Sequence, residues 1–532
     1  MRYDAIIIGG GHNGLTCACY LARAGLKVRV FERRAIVGGA AVTEEFFPGF
    51  RNSTAAYTVS LLHPKVIREL NLARHGLAIV ERPVSNFLPL ADAGSFSVGP
   101  DAAATQAELA RFSSRDAQRL PAYLAMIDRA AEVLRSLALE TPPLLRGGWS
   151  DLAEAFRLSR PIKRLDLSAR RELLELFTSS AGDLLDGWFE SEPVKAAFGF
   201  DAIVGNFASP YTPNTAYVLL HHVFGEVNGR RGAWGHAIGG MGAITQAMAN
   251  EARSLGVEIT TGAAVARLGV RDARACGVTL ADGSEFSARA VAANVNPRTL
   301  FLEFVEREHL PPEFRERMTR WKCASATLRM NVALSGLPDF VCAPGTRAQP
   351  HHGAGIIMAP SLDYMEQAYF DARTRGWAAA PIVEMLIPST LDATLAPPGA
   401  HVASLFCQHF NPALPGGRTW DDAREAAADL VIDTVNRHAP NFRASILGSS
   451  TLTPLDLERE FGLAGGDIFH GALSLDQIWA ARPILGHADY RTPVDGLYLC
   501  GAGAHPGGGV TGVPGHNASR EMLRDFGRGK LR

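Results

Sequence analysis

The alternation of apolar and polar positions at the start of the chain predicts a strand, a helix and a second strand in close succession. Residues 3–8 form a short apolar run that suits a buried strand. Leu15, Ala18 and Leu21 then recur at helical spacing, and Gly25 stands where a left-handed residue often ends a helix. Residues 27–31 alternate as the next strand. This order is typical of a Rossmann-type α/β domain.

The same patterns divide the rest of the chain into helix-rich and strand-rich stretches. Residues 103–140 have helical periodicity, which we predict to be interrupted at Pro121, and a second helical stretch covers 153–186. Asp282-Gly283 predicts a hairpin. Further helices are predicted over 243–255, 423–435 and 513–523. Strands are predicted over 257–259, 265–270, 276–280, 285–287, 290–293, 324–334, 381–387, 401–409 and 496–500.

A glycine motif separates the first strand from the first helix. Gly9, Gly11 and Gly14 occupy the glycine positions of G-x-G-x-x-G. The first allows a tight turn, the second lets a pyrophosphate approach the backbone, and the third lets helix and strand pack closely. Glu32 ends the second strand, 18 residues after Gly14, where an acid can accept hydrogen bonds from ribose hydroxyls. Because strand, helix and acid all stand at the expected distances, we predict a dinucleotide site.

A second glycine pair favours FAD over NAD as the dinucleotide. Gly38-Gly39 follows Glu32 by about six residues, a spacing common among FAD enzymes, and Arg33 and Arg34 offer cations near the phosphates. The end of the chain repeats the order of strand, glycine-rich loop and helix, because the apolar residues 496–500 lead into a glycine-rich loop and then into a helix. The N-terminus of that helix suits the negative charge of a reduced flavin.

Length and composition exclude several other classes of protein. A chain of 532 residues is expected to form two or three domains, and a net charge of -1 gives no basic surface for nucleic acid. Seven scattered cysteines favour a reducing compartment over a disulfide framework. No apolar run is long enough for a transmembrane segment, and no signal peptide is recognisable, so we expect a cytoplasmic protein. The histidines lack metal-ligand spacing, and we expect no metal.

Several short sequence motifs along the chain together resemble those of the phytoene desaturase branch of the flavin amine oxidase superfamily. They come from the start, the middle and the end of the sequence, and the resemblance covers nearly all of it. The matching motifs are residues 31–34, 37–43, 240–242, 467–470, 474–477, 497–501 and 505–509.

This resemblance implies a Rossmann-type FAD-binding domain split over three segments, residues 1–80, 226–300 and 466–532. A substrate domain with a mixed or antiparallel sheet and a helical cap would take residues 81–225 and 301–465. The expected activity is that of an FAD-dependent oxidoreductase acting on an apolar small molecule, with O₂ or a quinone as electron acceptor. The expected cofactor-binding residues are Gly9, Gly11, Asn13, Gly14, Glu32, Arg33, Gly38, Gly39, Ala40, Val265, Gly501, Ala502, Gly512 and Val513.

Two departures from the family pattern leave the substrate open. Ala40 replaces the arginine that carotenoid desaturases usually carry after the glycine pair. Arg329 aligns with a lysine that amine oxidases often place near flavin N5, and a guanidinium does not act as a base at neutral pH.

Candidate catalytic residues are few. His505, in the flavin loop, is the first candidate for proton transfer, and Asp476, Tyr57 and His63 are weaker ones. Two alternatives to the expected oxidoreductase remain: a true carotenoid desaturase with peripheral membrane contact, and an interaction or scaffold protein that keeps FAD for folding.

Overall fold

The computed structural model describes residues 2–90, 92, 94–323, 325–345 and 347–531, and of residues 150 and 152 it describes the backbone alone. Two seven-stranded sheets organise the described chain. Ala324, the first residue of one predicted strand, lies outside the described residues.

The first sheet confirms the Rossmann-type α/β fold. Its strands come from three separate parts of the chain, and five of them run parallel. The helices His12–Arg23, Met241–Ser254 and Val513–Gly527 pack together beside it. The strands are, in spatial order, Glu258–Thr260, Val28–Phe31, Arg2–Ile8, Glu285–Ala293, Arg274–Leu280 and Val265–Arg271, with Leu497–Leu499 also paired to Glu285–Ala293.

Two predictions about this sheet had different outcomes. The hairpin at Asp282-Gly283 is confirmed, because strands Arg274–Leu280 and Glu285–Ala293 pair antiparallel and Gly283 has a φ of +87°. The prediction of separate strands at 285–287 and 290–293 is wrong. They form one strand because Arg2–Ile8 pairs with it from Ser287 to Ala293 in a single register.

The second sheet is antiparallel except where Gly355–Met358 pairs with Asn86–Pro89. One strand, Trp377–Leu386, begins four residues before its predicted start, because a register irregularity accommodates Pro381. Helices Leu362–Arg375 and Trp420–His438 pack on the sheet. Its strands are, in spatial order, Ile446–Leu452, Thr327–Leu334, His401–Phe410, Trp377–Leu386, Gly355–Met358, Asn86–Pro89 and Ser95–Val98.

A helical layer occupies most of residues 102–223. The predicted interruption at Pro121 is wrong, because Pro121 lies inside a helix of 25 residues. Proline removes the N–H that would bond the carbonyl of Ala117, and Gln106 Nε2 donates to that carbonyl instead, at 2.8 Å. The helices are Ala102–Leu109, Ser114–Ala138, Trp149–Leu158, Arg160–Lys163, Leu167–Thr178, Ala181–Trp188, Glu192–Gly199 and Thr215–Val223.

The chain crosses from the first sheet to the second through the hairpin Thr43–Phe47 and Phe50–Ser53. Asn52 Nδ2 donates to Asn331 Oδ1 at 2.8 Å, and Arg329 Nε donates to the Ala55 carbonyl at 3.0 Å. These buried bonds fix residues 52–57 against the second sheet, which positions Tyr57 for the site described next.

Candidate cofactor and substrate site

A cavity of about 250 Å³ opens at the carboxyl ends of the parallel strands of the first sheet. Ile8, Phe31 and Asn294 line it, and each ends or directly follows one of these strands. This edge is where open α/β sheets bind their ligands.

The glycine motif forms the floor of the cavity and leaves no room for side chains. A Cβ on Gly14 would lie 2.2 Å from the Gly9 carbonyl oxygen, and one on Gly9 would lie 2.8 Å from the Asn294 carbonyl oxygen. The Gly38 N–H donates to the Gly10 carbonyl at 2.9 Å, so the second glycine pair packs directly on the first loop. The result is a bare backbone cradle at the N-terminus of helix His12–Arg23, the geometry that a pyrophosphate requires.

Glu32 supplies the acceptor expected for a ribose. Its side chain is buried and lines the cavity. Oε2 accepts from the Gly10 N–H and Oε1 from the Arg34 N–H, both at 2.8 Å. Two backbone donors therefore fix the carboxylate, and its remaining lone pairs can receive ribose hydroxyls.

The structure brings most of the predicted cofactor residues to one cavity. Those that line it are Gly9, Gly11, Asn13, Glu32, Arg33, Gly39, Ala40, Val265 and Ala502. Those that are not among the described lining residues are Gly14, Gly38, Gly501, Gly512 and Val513. Each of the two neighbouring arginines has one partner: Arg33 donates to the Arg459 carbonyl at 2.9 Å, and Arg34 Nη2 forms an ion pair with Glu44 at 2.8 Å.

Four buried polar atoms of lining residues have no hydrogen-bond partner among the described residues. They are Nε2 of His12, Oδ1 of Asn13, Nη1 of Arg34 and Nδ1 of His470. Unpaired buried polar atoms are rare in folded chains and commonly mark a ligand or ion. Together with the glycine cradle and the fixed carboxylate of Glu32, they show that the residues present fit FAD.

Beyond these residues the cavity wall is aromatic and aliphatic, and Tyr57 stands within it. The ring of Tyr57 stacks on Phe406 with centroids 4.9 Å apart, and the Arg329 guanidinium lies 4.6 Å from its centroid. The hydroxyl donates to Glu384 Oε2 at 2.5 Å. Burial raises the pKa of both Tyr57 and Glu384, and Arg82, 3.9 Å from Glu384 Oε1, opposes the shift of the carboxyl.

The other catalytic candidates do not reach the described lining of the cavity. His505 is buried, and its Nε2 bonds the Leu137 carbonyl at 3.1 Å; burial lowers its pKa to about 3. Asp476 is paired at the surface with Lys322 at 2.8 Å. His63 caps a short helix, where its Nδ1 accepts from the Lys65 N–H at 3.1 Å. Of the four candidates, Tyr57 alone is a described lining residue.

Sequence reasoning missed several lining residues, among them His12, His222, Trp234, Phe406 and His470. His12 lies inside the glycine motif and His470 inside a motif that matches the family, so the sequence could have indicated both as lining residues. No local pattern indicated Trp234 or Phe406, because their positions in the cavity wall depend on the packing of distant segments. Arg329, aligned with the amine oxidase lysine, lies behind Tyr57 and bonds the Ala55 and Leu405 carbonyls.

Comparisons with known proteins agree with this geometry. The family profile described as "Flavin containing amine oxidoreductase" matches residues 14–327. The chain is 43% identical to pyridine nucleotide-disulfide oxidoreductase domain-containing protein 2 of Rattus norvegicus, over 99% of this chain and 94% of that protein. It is 26% identical to a limonene dehydrogenase component of Castellaniella defragrans, over 98% and 95%. A putrescine oxidase triple mutant shares the fold, with a TM-score of 0.62, 14% identity and 99% of both chains covered.

Proposed function

The chain belongs to the flavin containing amine oxidoreductase family, and we propose that it removes a hydride from a C–H bond of an apolar small molecule, as a phytoene dehydrogenase does. The protein is an FAD-dependent oxidoreductase. When bound, FAD supplies the hydride-accepting chemistry, and the protein binds and orients both partners and excludes water.

The observation that carries the proposal is the character of the cavity wall next to Tyr57. Leu61, Val204, Trp234 and Phe406 present apolar surface there. Among the described lining residues Glu32 is the one acid, and its oxygens serve the ribose end. A cationic amine would find no carboxylate partner on this wall and would be costly to bury. Transfer of a hydrocarbon from water to the same wall is favourable. The similarity to the limonene dehydrogenase component supports the same substrate class.

Tyr57 is the residue that we propose to contact the substrate. Forming a double bond releases a proton as well as a hydride. The phenol oxygen can take that proton while its own proton passes to Glu384 Oε2, 2.5 Å away. Tyr57 then ends unchanged and Glu384 holds the proton. Arg329 and Phe406 both lie against the ring and fix its orientation.

The test is anaerobic mixing of the FAD-loaded protein with two sets of compounds, terpene hydrocarbons and primary amines. We expect a hydrocarbon to bleach the flavin and the amines to leave it yellow. Readmitting O₂ or a quinone then identifies the electron acceptor. Tyr57→Phe and Glu384→Gln should keep FAD bound and slow the bleaching. Bleaching by amines alone would overturn the assignment, and a flavin inert to every compound would favour the FAD-retaining scaffold.

A specific surface supports the second candidate, a carotenoid desaturase that contacts the membrane periphery. On helix Trp149–Leu158, Trp149 is 90% exposed and Phe156 65% exposed, and the two lie two turns apart on one face. Lys163 lies over the Phe156 ring. Aromatic residues beside basic ones suit a lipid interface. No helix in the described part of the chain is long and apolar enough to span a bilayer. Flotation with liposomes, for the native chain and for Trp149→Ser, tests this candidate.

The proposed cytoplasmic location draws support from the thiols. All seven cysteines are in the described part of the chain, and all are free. Free thiols suit a reducing compartment.

A further inference from the structure

Two imidazoles lie near each other at the cofactor end of the cavity. His12 is the first residue of helix His12–Arg23, and His470 comes from the chain 458 residues later. Each has one buried nitrogen without a partner among the described residues, Nε2 in His12 and Nδ1 in His470. Burial lowers the pKa of His12 to about 3, with His470 adding to the shift, and lowers the pKa of His470 to about 4. Both rings are therefore neutral and able to donate one N–H.

The backbone holds His470 in place. Its φ is +57°, a left-handed conformation that a residue other than glycine adopts when its surroundings impose it. Trp321 Nε1 donates to the His470 carbonyl at 3.1 Å. The fully buried Arg482 donates to the Phe469 carbonyl at 2.8 Å and to the Ala502 carbonyl at 2.7 Å, which ties the segment to the flavin loop. The strained backbone of His470 and the buried charge of Arg482 are both unfavourable on their own. Together they hold the His470 imidazole in a fixed position in the cavity.

The position of His12 identifies the ligand group. It directly follows Gly11, whose backbone faces the pyrophosphate in this motif, and it opens the helix whose N-terminus attracts anions. Of the cations predicted for the phosphates, Arg33 donates to the Arg459 carbonyl, and Arg34 pairs with Glu44 through Nη2 while its Nη1 has no partner among the described residues. Arg34 Nη1 is thus one donor left at this end of the lining, and His12 and His470 are the two residues there whose neutral rings offer further donors.

We propose that His12 and His470 form a two-imidazole clamp on the pyrophosphate of FAD, each donating one N–H to a phosphate oxygen. The inference concerns the cofactor and does not depend on the substrate proposed above. The clamp joins the two ends of the chain through one ligand, since Gly11 and Ala502 belong to segments far apart in sequence.

The experiment measures FAD affinity of the full-length apo-protein by flavin fluorescence. His12→Phe keeps a ring without the N–H, and His470→Gly keeps the left-handed backbone without the imidazole. Each should weaken FAD binding about tenfold to a hundredfold, the range for a lost hydrogen bond to a charged group. His12→Gln and His470→Asn restore an amide N–H near the lost nitrogen, and Asn tolerates positive φ, so both should recover most of the affinity.

The control is His351→Phe. His351 is also buried and its Nε2 also has no partner among the described residues, but it stacks on Phe87 and is not a described lining residue. It should leave FAD affinity unchanged. ADP, which carries the diphosphate without the flavin, should lose affinity in the same variants.

Three results would overturn the clamp: native affinity in both deletion variants, failure of both amide variants to recover affinity, or weakened FAD binding with unchanged ADP binding. Far-UV circular dichroism of each apo-protein separates misfolding from a local loss. Failure of the clamp leaves substrate-dependent flavin reduction untouched, so the two proposals fail independently.

Discussion

Gly14→Ala is the sharpest test of how the cofactor cradle is built. The new Cβ would lie 2.2 Å from the Gly9 carbonyl oxygen and 3.0 Å from Asn294 Nδ2. The nearer contact is backbone at the end of a strand that pairs on both sides, so the overpacking cost should reach about 3 kcal/mol. Alanine returns about 1 kcal/mol of helix propensity. We expect a net loss of about 2 kcal/mol in the free energy of unfolding, together with loss of FAD.

Gly187→Ala provides the matched control. Gly187 also lies within a helix, Ala181–Trp188, but no atom lies within 4 Å of a Cβ built there. The same substitution should therefore stabilise the fold by about 0.5–1 kcal/mol. Urea denaturation gives both free energies, and gel filtration followed by absorbance gives the FAD content. If Gly14→Ala kept FAD and native stability, the close helix–strand packing described above would be wrong.

Three further predictions concern the site and its surroundings. Glu32→Ala should weaken FAD binding about tenfold or more, because it removes the fixed ribose acceptor; a fluorescence titration with unchanged affinity would contradict that role. Native His505 stays neutral down to about pH 3, whereas the unfolded chain takes up a proton near pH 6.5, so stability should fall as pH drops through that window, by about 1 kcal/mol per unit. Denaturation at pH 7.5 and 5.5 should show a smaller loss in His505→Gln, and an equal loss would refute the linkage. Gln106→Ala should lower the free energy of unfolding by about 1 kcal/mol, because it leaves the Ala117 carbonyl unpaired. In a chain that also carries Pro121→Ala, which restores a backbone donor, Gln106→Ala should have no effect. Additive losses in this double-mutant cycle would contradict the role of the Gln106 hydrogen bond.

Local sequence pattern alone was enough to predict the cofactor end of the site. The spacing of Gly9, Gly11, Gly14 and Glu32 spans one strand, one helix and one turn, so local geometry alone brings these residues together. The hairpin at Gly283 was predictable for the same reason, since a two-residue turn requires particular backbone conformations.

Tertiary structure decided the rest, because contacts between distant segments follow from packing that no local pattern encodes. Pro121 remains inside its helix because Gln106, from the preceding helix, supplies the missing donor. Tyr57 meets Glu384 across 327 residues, and His12 comes near His470 across 458, so their pairing depends on how the two sheets and the flavin loop enclose one cavity. Burial there also sets the protonation of these groups, since removal from water disfavours their charged forms.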